Sequence, residues 1–159
     1  MAFLPHTEAG GVNVLAFLDM LAYAEGVQRY SKGHDGYDVI VGGTTFTDFS
    51  DHPRRKIYLP RYQIHSTAAG RYQFLIRTWD ALAQQMKLPD FSPRSQDRGA
   101  IQLIREQRAY EDVKFGRFDA AVRKCRNIWA SLPDAGYGQR EVAIARLRDT
   151  YVLAGGVLA

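Results

Sequence analysis

The chain has 159 residues and a mass of 18.0 kDa, the size of one domain. Hydrophobic residues make up 46% and charged residues 24%, which excludes a disordered chain, a collagen-like chain and a small disulfide scaffold. One cysteine, Cys125, excludes an intramolecular disulfide and suits a reducing compartment, while a net charge of +4 points toward an anionic partner.

Residues 1–11, with Pro5, Gly10 and Gly11, read as a flexible N-terminal tail. Val14, Leu15, Leu18, Leu21 and Ala22 then recur at the spacing of one helical face. They predict a helix with Asn13 as its N-cap, ending at or beside Glu25 where Gly26 stops it. Residues 27–36 are polar and read as a loop. The β-branched and aromatic residues of 37–50, turned at Gly42-Gly43, predict a β-hairpin. Ile57, Tyr58 and Leu59 add a short strand before Pro60.

From residue 70 onward the pattern is helical. A helix is predicted over Arg71 to Met86. A second starts at Ser92-Pro93, an N-cap followed by proline at the first helical position. Further helices cover Phe118 to Trp129 and Gln139 to Val152, the last stopped by Gly155-Gly156. One helix, a small sheet and then a bundle of helices make an α+β layout. A small sheet lobe beside a larger helical lobe leaves a cleft, where ligands bind.

The 21 Lys and Arg residues are scattered, with Arg54-Arg55-Lys56 the one cluster. That reads as a solvated basic surface, and no nucleic-acid partner is expected. The apolar run Val12 to Ala24 is too short to span a bilayer. The first eleven residues hold no Lys or Arg, as a signal peptide would require. Cytoplasmic accumulation without stable membrane insertion is expected. His6, His34, His52 and His65 show no metal-ligand spacing, and neither a metal nor a cofactor is implied. Cys125 lies on an apolar helix face, as a small core residue would.

Glu25 is the carboxylate in the wrong place. It closes an apolar helix, where the macrodipole is partially negative and Leu21, Ala22, Tyr23 and Ala24 offer little polar solvation. Both effects hold a proton on the carboxyl and suit it to general-acid work. The same position also suits an exposed, frayed helix end. Glycoside cleavage commonly uses two carboxylates. Asp35, Asp38, Asp48 and Asp51 all fall on the loop and hairpin, and spacing does not select among them. Each also suits a turn or cap.

Longer strings carry a family likeness. AFLDMLAYAEG around Glu25, GYDVIVGG from Gly36 and FTDFSDHPR from Phe46 are followed by AGRYQFL from Ala69, DFSPRSQD from Asp90 and RNIWASLPDAGYGQ from Arg126. Over roughly residues 14–156 the chain resembles the lambda-type phage endolysins, phage lysozymes that act as lytic transglycosylases. The loop after Glu25 is slightly shorter than in that family, and the first eleven residues have no clear counterpart.

The resemblance implies a single lysozyme-like catalytic domain over residues 1–159, with a peptidoglycan cleft between two lobes. It implies that Glu25 is the one catalytic acid and base. The bond cut is the β-1,4 link between N-acetylmuramic acid and N-acetylglucosamine, and the product is a 1,6-anhydromuramoyl end. It further implies lysis of the host by a lyase acting on cell wall, with antimicrobial effect. A monomer would wait in the host cytoplasm until a holin lets it reach the wall. The GRYQ and AGYGQ strings match cleft segments of the broader superfamily, which assigns substrate contact to Gly70, Tyr72, Gln73 and Tyr137. Ser66 and Thr67 can touch substrate or cap the following helix. Tyr72 and Trp129 also suit core packing. The rivals are a hydrolytic lysozyme using Asp38 or Asp48 and an inactive wall-binding module.

Overall fold

The computed structural model describes residues 1–159. Seven helices and one two-stranded sheet follow in the order α1 (His6–Ala9), α2 (Val12–Glu25), β1 (Ile57–Leu59), β2 (Ile64–Ser66), α3 (Ile76–Met86), α4 (Pro93–Glu106), α5 (Tyr110–Lys114), α6 (Phe118–Cys125) and α7 (Ile144–Leu153). The architecture is the expected α+β one.

Helix α2 runs through the middle of the molecule. Val14, Ala16, Phe17, Leu18, Met20, Leu21, Ala22 and Ala24 are all buried. A helix apolar on nearly every side is a core helix rather than a surface one, so the single face seen in the sequence understates its burial. Gly26 ends it in the left-handed region at φ 68°, its N–H returning to the Ala22 and Tyr23 carbonyls. At the other end Gly11, not Asn13, is the N-cap. The Asn13 side chain instead ties α2 to distant segments, donating to the Lys114 carbonyl and accepting from the Val157 N–H.

The first eleven residues are not a tail. Ala2 and Leu4 are buried in the main core, and residues 6–9 form α1. The N–H groups of Phe3 and Leu4 donate to Asp97 at 2.7 and 2.9 Å, and that of Ala2 donates to Asp19 at 2.6 Å. Buried carboxylates need donors, and the N-terminal backbone supplies them.

The short strand expected at Ile57 to Leu59 is β1, but the hairpin lies elsewhere than expected. Residues 37–50 turn at Gly42-Gly43, but they form only isolated bridges, Val39 to Thr45 and Ile40 to Ala69. The hairpin is β1–β2, antiparallel with Ile57 opposite Ser66 and Leu59 opposite Ile64. Its tip is Pro60–Gln63. The expected helix over Arg71 to Met86 starts only at Ile76. Positive φ at Gly70 and Gln73 and the bridge between Ala69 and Phe74 hold residues 70–74 in a turn. There Tyr72 and Phe74 enter the core, and Phe74 packs on Trp79 and Phe91. Ser92 caps α4 as expected, accepting from the Ser95 N–H. The last two helices are shorter than their patterns: α6 stops at Cys125, and α7 starts only at Ile144. Cys125 is fully buried, and burial pushes its thiol up to about 12.

Candidate active site

A cleft of about 400 Å³ opens at the C-terminal end of α2. One wall comprises the end of α2 and the following loop, with Ala24, Glu25, Val27, Arg29 and Tyr30. The floor is Val39 to Gly43 with Gln73. The β1–β2 hairpin contributes Leu59, Arg61 and Tyr62, and the chain between α6 and α7 contributes Ser131, Gln139 and Arg140.

Glu25 is the only carboxylate lining this cleft. Burial is the main reason its pKa rises from 4.5 to about 7. Two opposing effects are smaller: a hydrogen bond from Ser131 and the positive charge of Arg140. The Ser131 hydroxyl donates to Oε1 of Glu25 at 2.6 Å, which fixes the carboxyl's orientation. Ser131 is in turn held by its backbone, its carbonyl accepting from the Val142 N–H at 2.8 Å. Glu25 is therefore half protonated near neutral pH, the poise that suits a general acid that later acts as a base. This is desolvation inside a cleft and not a frayed helix end.

The loop and hairpin aspartates are absent from the cleft lining. Asp38 is buried and accepts from Ser31 Oγ at 2.5 Å and from the Lys32 N–H at 3.1 Å. It anchors the loop after α2. Asp48 is exposed and turns onto Ser50, whose hydroxyl first and N–H second hold its carboxyl below the usual range. Asp51 pairs with Arg54, which also holds Asp80. Asp35 lies 3.5 Å from the N-terminal ammonium. The Arg54-Arg55-Lys56 cluster is thus partly neutralised by surface acids.

The remaining sequence candidates divide. Gln73 lines the cleft, its Nε2 donating to the carbonyls of Gly70 and Val39 at 2.9 and 3.3 Å, with its Oε1 left to accept. Gly70 does not precede a helix and has no free N–H. That N–H donates to the Val39 carbonyl. A Cβ at Gly70 would fall 2.3 Å from Gln96 Oε1, so glycine is required there for close packing. Tyr72 is buried, its hydroxyl donating to Asp97 at 2.6 Å; it is a core residue and not a substrate contact. Trp129 is likewise buried, donating to the Tyr72 carbonyl. Thr67 Oγ1 accepts from the Ile76 N–H at the start of α3, and Ser66 Oγ accepts from the Ala68 N–H. Both act as local caps outside the cleft lining. Tyr137 is 56% exposed, with its hydroxyl donating to the Asn127 carbonyl and its ring facing solvent beyond the lining residues.

Sequence reasoning missed Ser131, Arg140, Arg29 and Tyr62. Ser131 is 106 positions from Glu25, so no local pattern pairs them.

A helical body, a short hairpin and a cleft built around one protonatable carboxyl at a helix end define a lysozyme-like enzyme fold. Solved structures agree. The lysozyme of bacteriophage lambda complexed with a chitohexasaccharide superimposes with a TM-score of 0.88 at 46% identity, both chains covered in full. A second structure of lysozyme from bacteriophage lambda gives 0.86 at 45%, again over both full chains. The Endolysin family model matches residues 15–158, and the chain belongs to that family. It is 51% identical over 158 residues to the endolysin of Escherichia phage P2, covering 92% of this chain and 95% of that protein. It is 50% identical to the endolysin of Escherichia phage lambda, covering 90% and 91%.

Proposed function

We propose that the protein cleaves peptidoglycan by lytic transglycosylation, with Glu25 as its acid and base. The observation that carries this reading is the lone carboxyl. Hydrolysis by two carboxylates needs a second carboxylate, as base or nucleophile, across the scissile bond, and Asp38 and Asp48 make loop contacts instead. Intramolecular attack needs only one.

Protonated Glu25 gives its proton to the oxygen of the β-1,4 bond, and the bond from C1 of the muramoyl residue to that oxygen breaks. The muramoyl 6-hydroxyl attacks C1, forming the 1,6-anhydro ring. The Glu25 carboxylate takes the hydroxyl proton and is restored. No water enters the product. Holding the hydroxyl beside C1 can supply ~7–11 kcal/mol of the barrier. Ser131 keeps the carboxyl aimed throughout. Gln73 binds a sugar acetamide or hydroxyl through its free acceptor, and the exposed Tyr137 ring offers a stacking face. No helix is long and apolar enough to cross a membrane. The enzyme waits in the host cytoplasm as a monomer and needs a holin to reach the wall.

Mass spectrometry of digested walls tests the reaction. Products ending in 1,6-anhydromuramic acid are expected, without ¹⁸O when the digestion is run in labelled water. Reducing ends carrying the label would establish hydrolysis instead. Glu25→Gln keeps the shape of the side chain but not its acid, and should abolish lysis.

A further inference from the structure

Arg29 and Arg140 come from opposite ends of the chain and meet at Gly26. A guanidinium nitrogen of each falls 3.4 and 3.1 Å from the point where a Cβ of Gly26 would lie. Both side chains are exposed at the rim of the cleft. Salt bridges elsewhere hold Arg54, Arg71, Arg94, Arg117, Lys124 and Arg148, but none involves Arg29 or Arg140. Neither guanidinium makes a side-chain hydrogen bond; Arg29 lies over the Tyr30 ring at 4.9 Å.

Two guanidinium groups brought together repel unless an anion lies between them. Glu25, which feels the Arg140 charge, is only half ionised near neutral pH and so cannot balance both guanidiniums. The carbonyl end of α2 draws cations toward Gly26 but offers only a partial charge. The pair also borders a second cavity of about 290 Å³, lined by Ala22, Tyr23, Gly26 and Gln28 together with the two arginines. Arg29 and Arg140 line both this cavity and the cleft that holds Glu25, so a substituent leaving the sugar chain beside Glu25 meets both guanidiniums.

We propose that Arg29 and Arg140 form a subsite for the carboxylates of the peptide stems borne by the muramoyl residues. The subsite selects charged, peptide-substituted strands over neutral glycan. It rests on the reading of the cleft as a peptidoglycan site. Paired N–H donors fit a carboxylate in bidentate fashion, which a single lysine cannot do.

The test measures binding in the Glu25→Gln protein, which holds strands without turning them over. The probes are peptide-bearing glycan strands with free carboxylates, and the same strands with those carboxylates converted to neutral methylamides. One charge-assisted contact is worth about tenfold in affinity. The Glu25→Gln protein should therefore bind the free-carboxylate strands about tenfold more tightly, and this preference should weaken with salt. Adding Arg29→Gln and Arg140→Gln should bring it close to one. Replacing both with lysine should keep part of it, since the charge remains. Both arginines are exposed and make no internal hydrogen bond, so the variants should keep the parental melting temperature. No preference in the Glu25→Gln protein, or a tenfold preference surviving removal of both arginines, overturns the proposal. Strand cleavage by the Glu25→Gln protein would instead sink the catalytic reading of Glu25, and the charge preference is scored separately from it.

Discussion

Glu25 should be a measurable burden on the folded protein, and Glu25→Gln should relieve it in a pH-dependent way. In the unfolded chain its carboxyl titrates near 4.5, and in the fold burial lifts it to about 7. The folded state thus binds a proton more tightly, and stability declines as pH rises through that window. Below 4.5 both states are protonated and Glu25 costs nothing. Above about 7 both are ionised, and the fold carries a desolvated charge. The gap between the two pKa values is worth about 3 kcal/mol. Glutamine keeps the volume and can still accept from Ser131, so it mimics the protonated acid at every pH. Urea denaturation of both proteins at pH 4, 6 and 8 measures the effect. The two should agree at pH 4, and Glu25→Gln should be more stable by up to about 3 kcal/mol at pH 8. Equal differences at pH 4 and pH 8, or a less stable variant at pH 8, would refute the argument that burial sets the Glu25 pKa. A stabilised but inactive variant is the expected trade at a site where chemistry needs a strained charge.

Ser131→Ala removes the donor that favours ionised Glu25, so protonated Glu25 should persist to higher pH. The alkaline limb of the lysis profile should move up by about one to two pH units, since a hydrogen bond to a charged group is worth about 1.5–3 kcal/mol; an unmoved limb would show that the bond does not tune the acid. Asp48→Asn should leave turnover and the anhydro product unchanged in a muropeptide digest, because its carboxyl faces Ser50. Asp38→Asn should loosen the loop after α2 and lower the melting temperature while still giving anhydro ends. Deleting residues 1–5 exposes the site of Leu4 and takes two donors from Asp97. A loss of about 3–5 kcal/mol in urea denaturation is expected, and a loss under 1 kcal/mol would return the segment to the status of a tail.

How far the fold was readable depended on where its causes lie along the chain. Helix α2 and its glutamate were readable because the signals are local: an apolar run, an end at Gly26, and a carboxyl with no polar neighbours. Ser92-Pro93 was readable for the same reason. Ile57 to Leu59 is legible as a strand and forms β1, but its partner is not: Val39 and Ile40 are β-branched for packing in the core and bridge single residues, whereas β1 closes on the turn at residues 60–63, with little in Ile64–Ser66 to mark a strand. The helix over Arg71 to Met86 was drawn too long because helical spacing could not show that Gly70 packs against Gln96 and that Phe74 pairs with Ala69.

The site divides along the same line. A single sequence singles out the Glu25 carboxyl but not what aims it, since Ser131 reaches Glu25 only once α2 and the chain after α6 are packed together. It also leaves four aspartates open as partners, and only the folded structure shows that they lie outside the cleft lining. The N-terminal segment makes the same point from the opposite side. Nothing in MAFLP asks to be ordered, and the demand comes from Asp97, a carboxylate buried among Tyr37, Tyr72 and the backbone of residues 3 and 4. Burial raises its pKa while four donors hold it down, so the acid is tolerable only with the segment in place. The same tyrosines lie on the Gly36–Gln73 framework that floors the cleft. Order at the N-terminus is thereby coupled to the walls around Glu25, and a truncation that spares every cleft residue should still loosen the site.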